Sequence, residues 1–247
     1  VKIGTNKLQK IANLTSQSSL RHIIFRWPYI GFLFNEYYKD ETGVSFVSRL
    51  EVRRVSENKG VLSLDHINII QGDIINFEVA PWNDYFVAVI TNLKDKNKIS
   101  VFLNDHLIGV YEWVGDFRFS STSKNYAFSA KKEGQNLIIL NNKEFPVNID
   151  VSLKNVNFYF FVNQIINSRK TYNYFIYSDR TKDGFYFKII DLETYLIKRN
   201  IGPYDSIKDI KVSEDGKIIV ILAKRNQKFV ITTVTFSVKN IFIKKEE

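Results

Sequence analysis

The sequence predicts an all-β protein, a β-propeller of about five four-stranded blades, and three observations predict it. Short stretches of alternating hydrophobicity recur between polar turns. The same strand-turn-strand order returns five times. The first hydrophobic residues of the copies, Phe25, Phe77, Phe117, Phe158 and Ile210, stand 40 to 52 residues apart. Period-two alternation bounded by turn residues is the pattern of half-buried strands. A period of ~40 to 50 residues holding four short strands is the mark of a propeller blade. A sandwich would also supply short alternating strands, but it has no need of one order repeated five times.

Composition agrees with this class. The chain has 247 residues, 45% hydrophobic and 15% aromatic, enough to bury a large core in one domain. Its 20 Phe and 13 Tyr, with many Ile and Val, favour pleated surfaces over helices. With only 4 Pro and 11 Gly, most turns fall to Asn, Asp, Ser and Lys.

The first twenty residues read as an N-terminal strand or linker, and residues 21–247 as the propeller domain. Ile3, Leu8, Ile11 and Leu14 in the first segment fit either an outer strand or a short helix. Asn13-Leu14-Thr15 matches a glycosylation acceptor, a frequent chance match. In copy one Phe25 and Trp27 alternate, Pro28-Tyr29 turns, Gly31 to Tyr37 is a strand, Lys39 to Gly43 a charged turn, and Val44 to Val52 and Ser63 to Ile70 follow as strands. Copy two runs Phe77 to Ala80, a turn over residues 81–84, Tyr85 to Ile90, a turn at Lys94 to Lys98, Ile99 to Leu103, and Leu107 to Tyr111.

Copy three is the clearest. Phe117 and Phe119 alternate, Ser120 to Asn125 turns, Tyr126 to Phe128 alternates again, Lys131 to Gln135 turns, and Leu137 to Leu140 leads through Asn141-Asn142 to Phe145–Val151. Copy four starts at Phe158 to Phe160, carries an insertion from Asn163 to Lys170, and resumes with Tyr172 to Ser178, the turn Arg180 to Gly184, and Tyr186 to Asp191. Copy five is compact: Ile210 to Ser213, a turn, Ile218 to Ala223, the turn Lys224 to Lys228, Phe229 to Phe236, and Val238 to Ile243. A sixth blade would have to be concealed in the N-terminal segment and the long fourth copy.

The stretches FEVAPWNDYFVAV, FRFSSTSKNYAF and IKVSEDGKIIVIL resemble the blade motif of TolB-like and other WD40-like propellers, in which a hydrophobic strand runs into Ser-Pro-Asp-Gly-Lys and then another strand. Ser213 to Lys217 is nearest that pattern, Ala80 to Asp84 keeps the Pro, and Ser120 to Lys124 keeps the Ser and the Lys. The Trp-Asp dipeptide of true WD40 repeats is missing, which favours the TolB-like group. The resemblance covers roughly residues 20 to 245. It implies a fold more than an activity, and it suggests a bacterial envelope setting, although a cytoplasmic one fits the residues equally.

Several function classes are excluded or unsupported. With no Cys there is no disulfide or thiolate chemistry. Three scattered histidines, His22, His66 and His106, do not stand at metal-ligand spacing, so no metal or cofactor is expected. No nucleophile elbow, Walker loop or dinucleotide fingerprint occurs, and there is no specific nucleic-acid motif. Ile218 to Ala223, six residues, falls far below the ~18 apolar residues that cross a bilayer. The absence of Met even at position 1 leads to the expectation of a processed, trimmed or incompletely covered chain.

Two recurrences remain as candidate sites. Just before the first strand of copies two to five stand Asn76, Asp116, Asn157 and Asp209, which in a propeller ring one mouth of the channel. They read either as strand-entry caps bonding their own backbone or as a channel-mouth site. The second reading makes Asp116 and Asp209 an acid–base pair for glycosides, if ~5 to 10 Å apart. The turn between second and third strands carries Lys94, Lys96 and Lys98, then Lys131 and Lys132, Arg180 and Lys182, and finally Lys224, Arg225 and Lys228. Copy one departs, with Lys39 beside Asp40 and Glu41.

With a formal net charge of +9, these turns read as solvated loops or as a basic rim that docks a protein or other anionic partner. Trp27 and Trp82, at first turns, are expected to pack over neighbouring blades. The expected function is that of a non-enzymatic interaction or scaffold module, with carbohydrate binding or processing at the channel mouth as the alternative.

Overall fold

The computed structural model describes residues 18–40, 43–58, 61–80, 87–92, 98–104, 106–120, 124–149, 159–166, 170–213, 217–236 and 241–246. They form strands and turns, with no helix among the described residues. Blade one holds β1 (Ser18–Arg26), β2 (Tyr29–Asp40), β3 (Gly43–Asn58) and β4 (Val61–Gly72). Blade two holds β5 (Ile74–Val79), β6 (Val87–Asn92), β7 (Ile99–Leu103) and β8 (His106–Tyr111). Blade three is β9 (Trp113–Phe119), β10 (Tyr126–Lys132), β11 (Gln135–Leu140) and β12 (Lys143–Pro146). Blade four is β13 (Tyr159–Ile166), β14 (Lys170–Thr181), β15 (Gly184–Asp191) and β16 (Ile197–Tyr204). Blade five is β17 (Ser206–Val212), β18 (Ile218–Arg225), β19 (Lys228–Phe236) and β20 (Ile241–Glu246).

Each group is one antiparallel sheet with its strands in chain order. Five such meanders in succession are the blades of the β-propeller class. The chain divides into two compact units, residues 1–111 with blades one and two, and residues 112–247 with blades three to five.

Three expectations are corrected. Of the insertion at Asn163 to Lys170, residues 163–166 and Lys170 are strand: β13 and β14 pair without interruption out to Ile166↔Lys170, so copy four is long because its hairpin is long. Its fourth strand, β16, was missed because IKRNIGPY alternates poorly and carries a Pro, which an outer strand accepts. Blade one begins at Ser18, inside the segment set apart as 1–20.

In the first unit, β2 alternates between two packing faces. Tyr29 and Leu33, with Leu50 and Val52 of β3, meet Ile74, Phe77 and Val79 of blade two. Ile30, Phe32 and Phe34 lie on the opposite face with Val55. Gly31 stands where a Cβ would strike the Phe77 ring, so the approach of the two blades requires glycine there.

In the second unit, β14 alternates in the same way. Phe175 and Tyr177 pack with Ala127, Ile138, Leu140 and Val147 of blade three. Tyr174 and Ile176 pack with Ile219, Ile221, Ala223 and Val234 of blade five. A strand buried on both faces reads as a nearly continuous apolar run, and residues 172–178 do. Each fully buried large side chain contributes about 1.5–3 kcal/mol.

The turns follow the expected chemistry. Glu133 and Gly134, Asn141 and Asn142, and Asn226 and Gln227 all have positive φ, as two-residue type I′ hairpins demand. Ser120 and Ser213, the serines of the blade motif, do the same job in blades three and five. Each hydroxyl accepts the N–H of the strand that returns, from Asn125 at 3.1 Å and from Ile218 at 3.0 Å.

Burial pushes the phenol of Tyr126 up to about 12, and burial followed by the nearby Asp179 charge pushes Tyr177 up to about 12. Unfolded tyrosine ionises near 10, so above that pH the unfolded chain releases protons that the folded chain holds. Stability is therefore expected to fall as pH rises from 10 toward 12 and to be unaffected by these groups below 10. Urea midpoints at pH 9 and pH 11 check this, with Tyr177→Phe flattening the decline.

Candidate functional site: the basic turns of blades three to five

The polar residues expected just before the first strands of blades two, three and five lie inside those strands instead, Asn76 in β5, Asp116 in β9 and Asp209 in β17, each at a β-bulge. In β5 the pairing passes from Ile74↔Thr91 to Asn76↔Ile90, leaving Ile75 as the extra residue. In β17 it passes from Ile207↔Ala223 to Asp209↔Leu222, leaving Lys208 extra. In β9 it skips Gly115 and Asp116, and in β1 it skips Arg21 before His22. A short polar side chain suits a bulge because it bonds the neighbouring backbone. Asn76 Oδ1 accepts the Phe77 N–H at 2.9 Å, and Asp209 Oδ1 accepts the Ile210 N–H at 2.8 Å. Asp209 also pairs with Lys211 at 3.4 Å.

Asp116 lies within β9, at its bulge and not ahead of the strand, and Asn157 lies outside the described residues. Blade one holds His22 at the bulge instead, edge-on to Phe77. No cluster of three metal-ligating side chains occurs among the described residues.

The basic residues of blades three to five flank the β10–β11, β14–β15 and β18–β19 turns: Lys131 and Lys132 end β10, Arg180 lies near the end of β14, Lys224 and Arg225 end β18, Lys228 opens β19, and Lys182 lies in the turn itself. Lys94 and Lys96 lie outside the described residues, and Lys98 is exposed just before β7. Within the second unit, three backbone links place the turns at one end of their blades. Asn148, leaving blade three, donates its N–H to Asp179 beside the β14–β15 turn at 2.9 Å. Asp205, leaving blade four, donates its N–H to the Lys224 carbonyl at 2.8 Å. Glu112, entering blade three, donates its N–H to the Lys131 carbonyl at 2.8 Å.

The same links bring carboxylates to the turns, which the sequence did not disclose. Glu112 accepts the Gly134 N–H at 3.1 Å, and Asp205 accepts the Gln227 N–H at 3.3 Å. Lys132 pairs with Glu144 at 2.9 Å, which pushes its ammonium up. No carboxylate pairs with Lys131, Arg180, Lys182, Lys224, Arg225 or Lys228 among the described residues. The unneutralised charge therefore collects on blades four and five.

Aromatic rings accompany that charge. Arg180 lies over Phe185, its cross-strand partner, at 5.1 Å, and Lys224 lies over Phe229, its own partner, at 5.4 Å. The signal was in the sequence, since each ring follows its cation by five residues in corresponding turns. Phe229 is 56% exposed. Lys245, on β20, lies 5.9 Å from the buried Tyr204 ring. Burial first, and Arg225 second, hold its ammonium below the usual lysine value. Trp27, expected to be packed, is instead 52% exposed, edge-on to Phe25, because the first strand of blade one is open to solvent at that turn. Trp82 lies outside the described residues.

Sheet topology and repeat together define a β-propeller protein with a basic, aromatic-lined set of turns. No family model and no curated protein matches the chain. Among solved structures it is similar to the β-propeller domain of the trilobed protease from Pyrococcus furiosus, at 7% identity and a TM-score of 0.43, covering 93% of this chain and 84% of that one. A putative 6-phosphogluconolactonase from Bacteroides fragilis matches at 10% identity, TM-score 0.29, over 89% and 84%. The mannose phosphorylase MPT-4 from Leishmania mexicana matches at 11% identity, TM-score 0.32, over 90% and 85%. Likenesses this remote carry no argument about activity, and the fold assignment rests on the sheets themselves.

Proposed function

We propose that the chain is a non-enzymatic propeller module of the TolB-like kind that docks an anionic partner, a protein or another polyanion, on the basic turns of blades three to five. The observation that carries this reading is the set of seven cations at the turns of blades three to five, of which Lys132 alone has a carboxylate partner among the described residues. Lys94, Lys96 and Lys98 of blade two extend the set in sequence. Partly or fully exposed cations gathered at such turns raise the local concentration of anions and steer their approach.

Retention on an immobilised sulfated polysaccharide tests the reading. Reversing Lys131, Lys132, Lys224 and Arg225 to Glu is expected to lower affinity by tenfold or more at about 50 mM salt, and raising salt to about 500 mM to do the same to the unaltered chain. Affinity unchanged by both would overturn it.

A further inference from the structure

At the junction of blades four and five, cations from two facing sheets gather around one buried ring. On blade four, Tyr174, Ile176, Phe187 and Ile189 face blade five, and strand alternation puts Arg180 on that same face. Arg180 lies over its cross-strand partner Phe185, which in turn pairs with Tyr204. On blade five, Ile219, Ile221 and Ala223 face blade four, so Arg225 and its partner Lys228 do too. Lys245 pairs with Thr232, which accepts the Tyr204 O–H at 2.7 Å, and its Nζ lies 5.9 Å from the Tyr204 ring. The Asp205 N–H bond to the Lys224 carbonyl holds the two sheets together at this end.

No carboxylate pairs with Arg180, Arg225, Lys228 or Lys245 among the described residues. Their chain neighbours Asp179 and Glu246 lie on the other faces of their sheets, where Asp179 takes Lys188 and Glu246 takes Lys244. The exposed Asp183 and Asp205 stand at the two turns, Asp205 accepting the Gln227 N–H at 3.3 Å, and leave positive charge in excess. Like charges facing one another across a junction repel, and an anion set between them relieves the repulsion.

Resting on the basic-rim reading, we infer that this junction binds a phosphomonoester group, held by Arg180 from blade four and by Arg225, Lys228 and Lys245 from blade five. Each guanidinium offers a fork of N–H donors that matches two phosphate oxygens, and each ammonium adds a point charge. A phosphomonoester carries close to two charges and three terminal oxygens at neutral pH. A carboxylate or a phosphodiester brings one charge and two free oxygens, and would leave part of the cluster unanswered.

Calorimetric titration of the full chain with phenyl phosphate, at about pH 7 and about 50 mM salt, tests the inference, with phenyl sulfate, of the same shape and one charge fewer, as the comparison. Saturable binding is expected, roughly tenfold tighter for the phosphate. It should weaken as pH falls from about 7 to about 5, because the phosphate takes up its second proton near pH 6. Arg180→Ala and Arg225→Ala, one from each sheet, are each expected to weaken binding roughly tenfold. Arg225→Lys, which keeps the charge and loses the fork, should fall between. Lys245→Ala is expected to weaken binding, and Lys244→Ala, its chain neighbour on the opposite face, to leave it unchanged. A short phosphoserine peptide titrated in parallel identifies the source of the group. Tighter binding than that of phenyl phosphate assigns it to a phosphorylated side chain of a partner protein, and binding no tighter assigns it to a free phosphate ester. No binding of phenyl phosphate, equal affinity for phenyl sulfate, or equal losses for Lys244→Ala and Lys245→Ala would overturn the inference and leave the basic rim standing, provided the sulfated polysaccharide is still retained. Binding of neither phenyl phosphate nor the polysaccharide would remove both.

Discussion

Replacing Asp179 with alanine is expected to destabilise the chain by about 3 kcal/mol. This carboxylate is 2% exposed and satisfies three donors at once. It pairs with Lys188 Nζ at 2.5 Å, and its Oδ1 accepts the N–H groups of Asn148 at 2.9 Å and Arg180 at 2.8 Å. The first two come from different elements, so the residue joins the exit of blade three to the second and third strands of blade four.

Alanine leaves the ammonium without its counter-charge beside Tyr177 and two backbone donors without an acceptor. Leaving a buried partner uncompensated is costlier than never having the pair. Asp179→Ala combined with Lys188→Met is therefore expected to recover part of the loss, and Asp179→Asn, which keeps an acceptor, to fall between. Urea midpoints measure all three. A midpoint for Asp179→Ala equal to that of the unaltered chain would show that the cluster is not holding the blades together.

Phe187→Ala is expected to cost about 3–5 kcal/mol, the range for emptying a buried phenylalanine site. Phe187 is 1% exposed and belongs to the cluster in which Tyr174, Ile176, Ile189, Ile201 and Tyr204 of blade four meet Ile219, Ile221 and Ala223 of blade five. Both walls of the site are sheets pinned by ladder hydrogen bonds, so the space cannot close without shifting one blade against the other. Phe187→Leu, which refills most of the volume, is expected to cost less than about 1.5 kcal/mol. Against a total stability of roughly 5–15 kcal/mol the alanine variant consumes a large fraction. Thermal and urea unfolding followed by circular dichroism would show it, and equal losses for alanine and leucine would contradict the packing account.

Most of the fold was legible because a blade is a local object. Its hairpins close within a few residues, the alternation in β18 and β19 announces which side of each strand is buried, and the apolar runs of β10 and β11 announce strands buried on both sides. Asn141-Asn142 announces a turn because few residues other than Gly and Asn accept the left-handed conformation that both adopt. Strand β16 was illegible for the complementary reason: an outer strand buries little, and its pattern of exposed residues resembles a loop. The recurrence of Asn and Asp was visible, and its setting, a bulge within the first strand and not the residue ahead of it, was not. A bulge is defined by the partner strand and leaves no mark of its own in the sequence.

The basic turns divide along the same line. From residues alone, Lys131, Lys132, Arg180, Lys182, Lys224, Arg225 and Lys228 were equivalent members of one recurrence, placed at corresponding turns by the repeat. That placement needed nothing beyond local periodicity and turn chemistry, and the sequence by itself determined it together with the all-β repeat. Which cations stay unneutralised was decided only by the tertiary structure. The carboxylates that take Lys132 and Lys188, and those that cap the turns through Gly134 and Gln227, arrive from connections between blades and from other strands, 9 to 22 residues away in the chain. Coulomb energy follows distance in space, and only the packed blades set that distance.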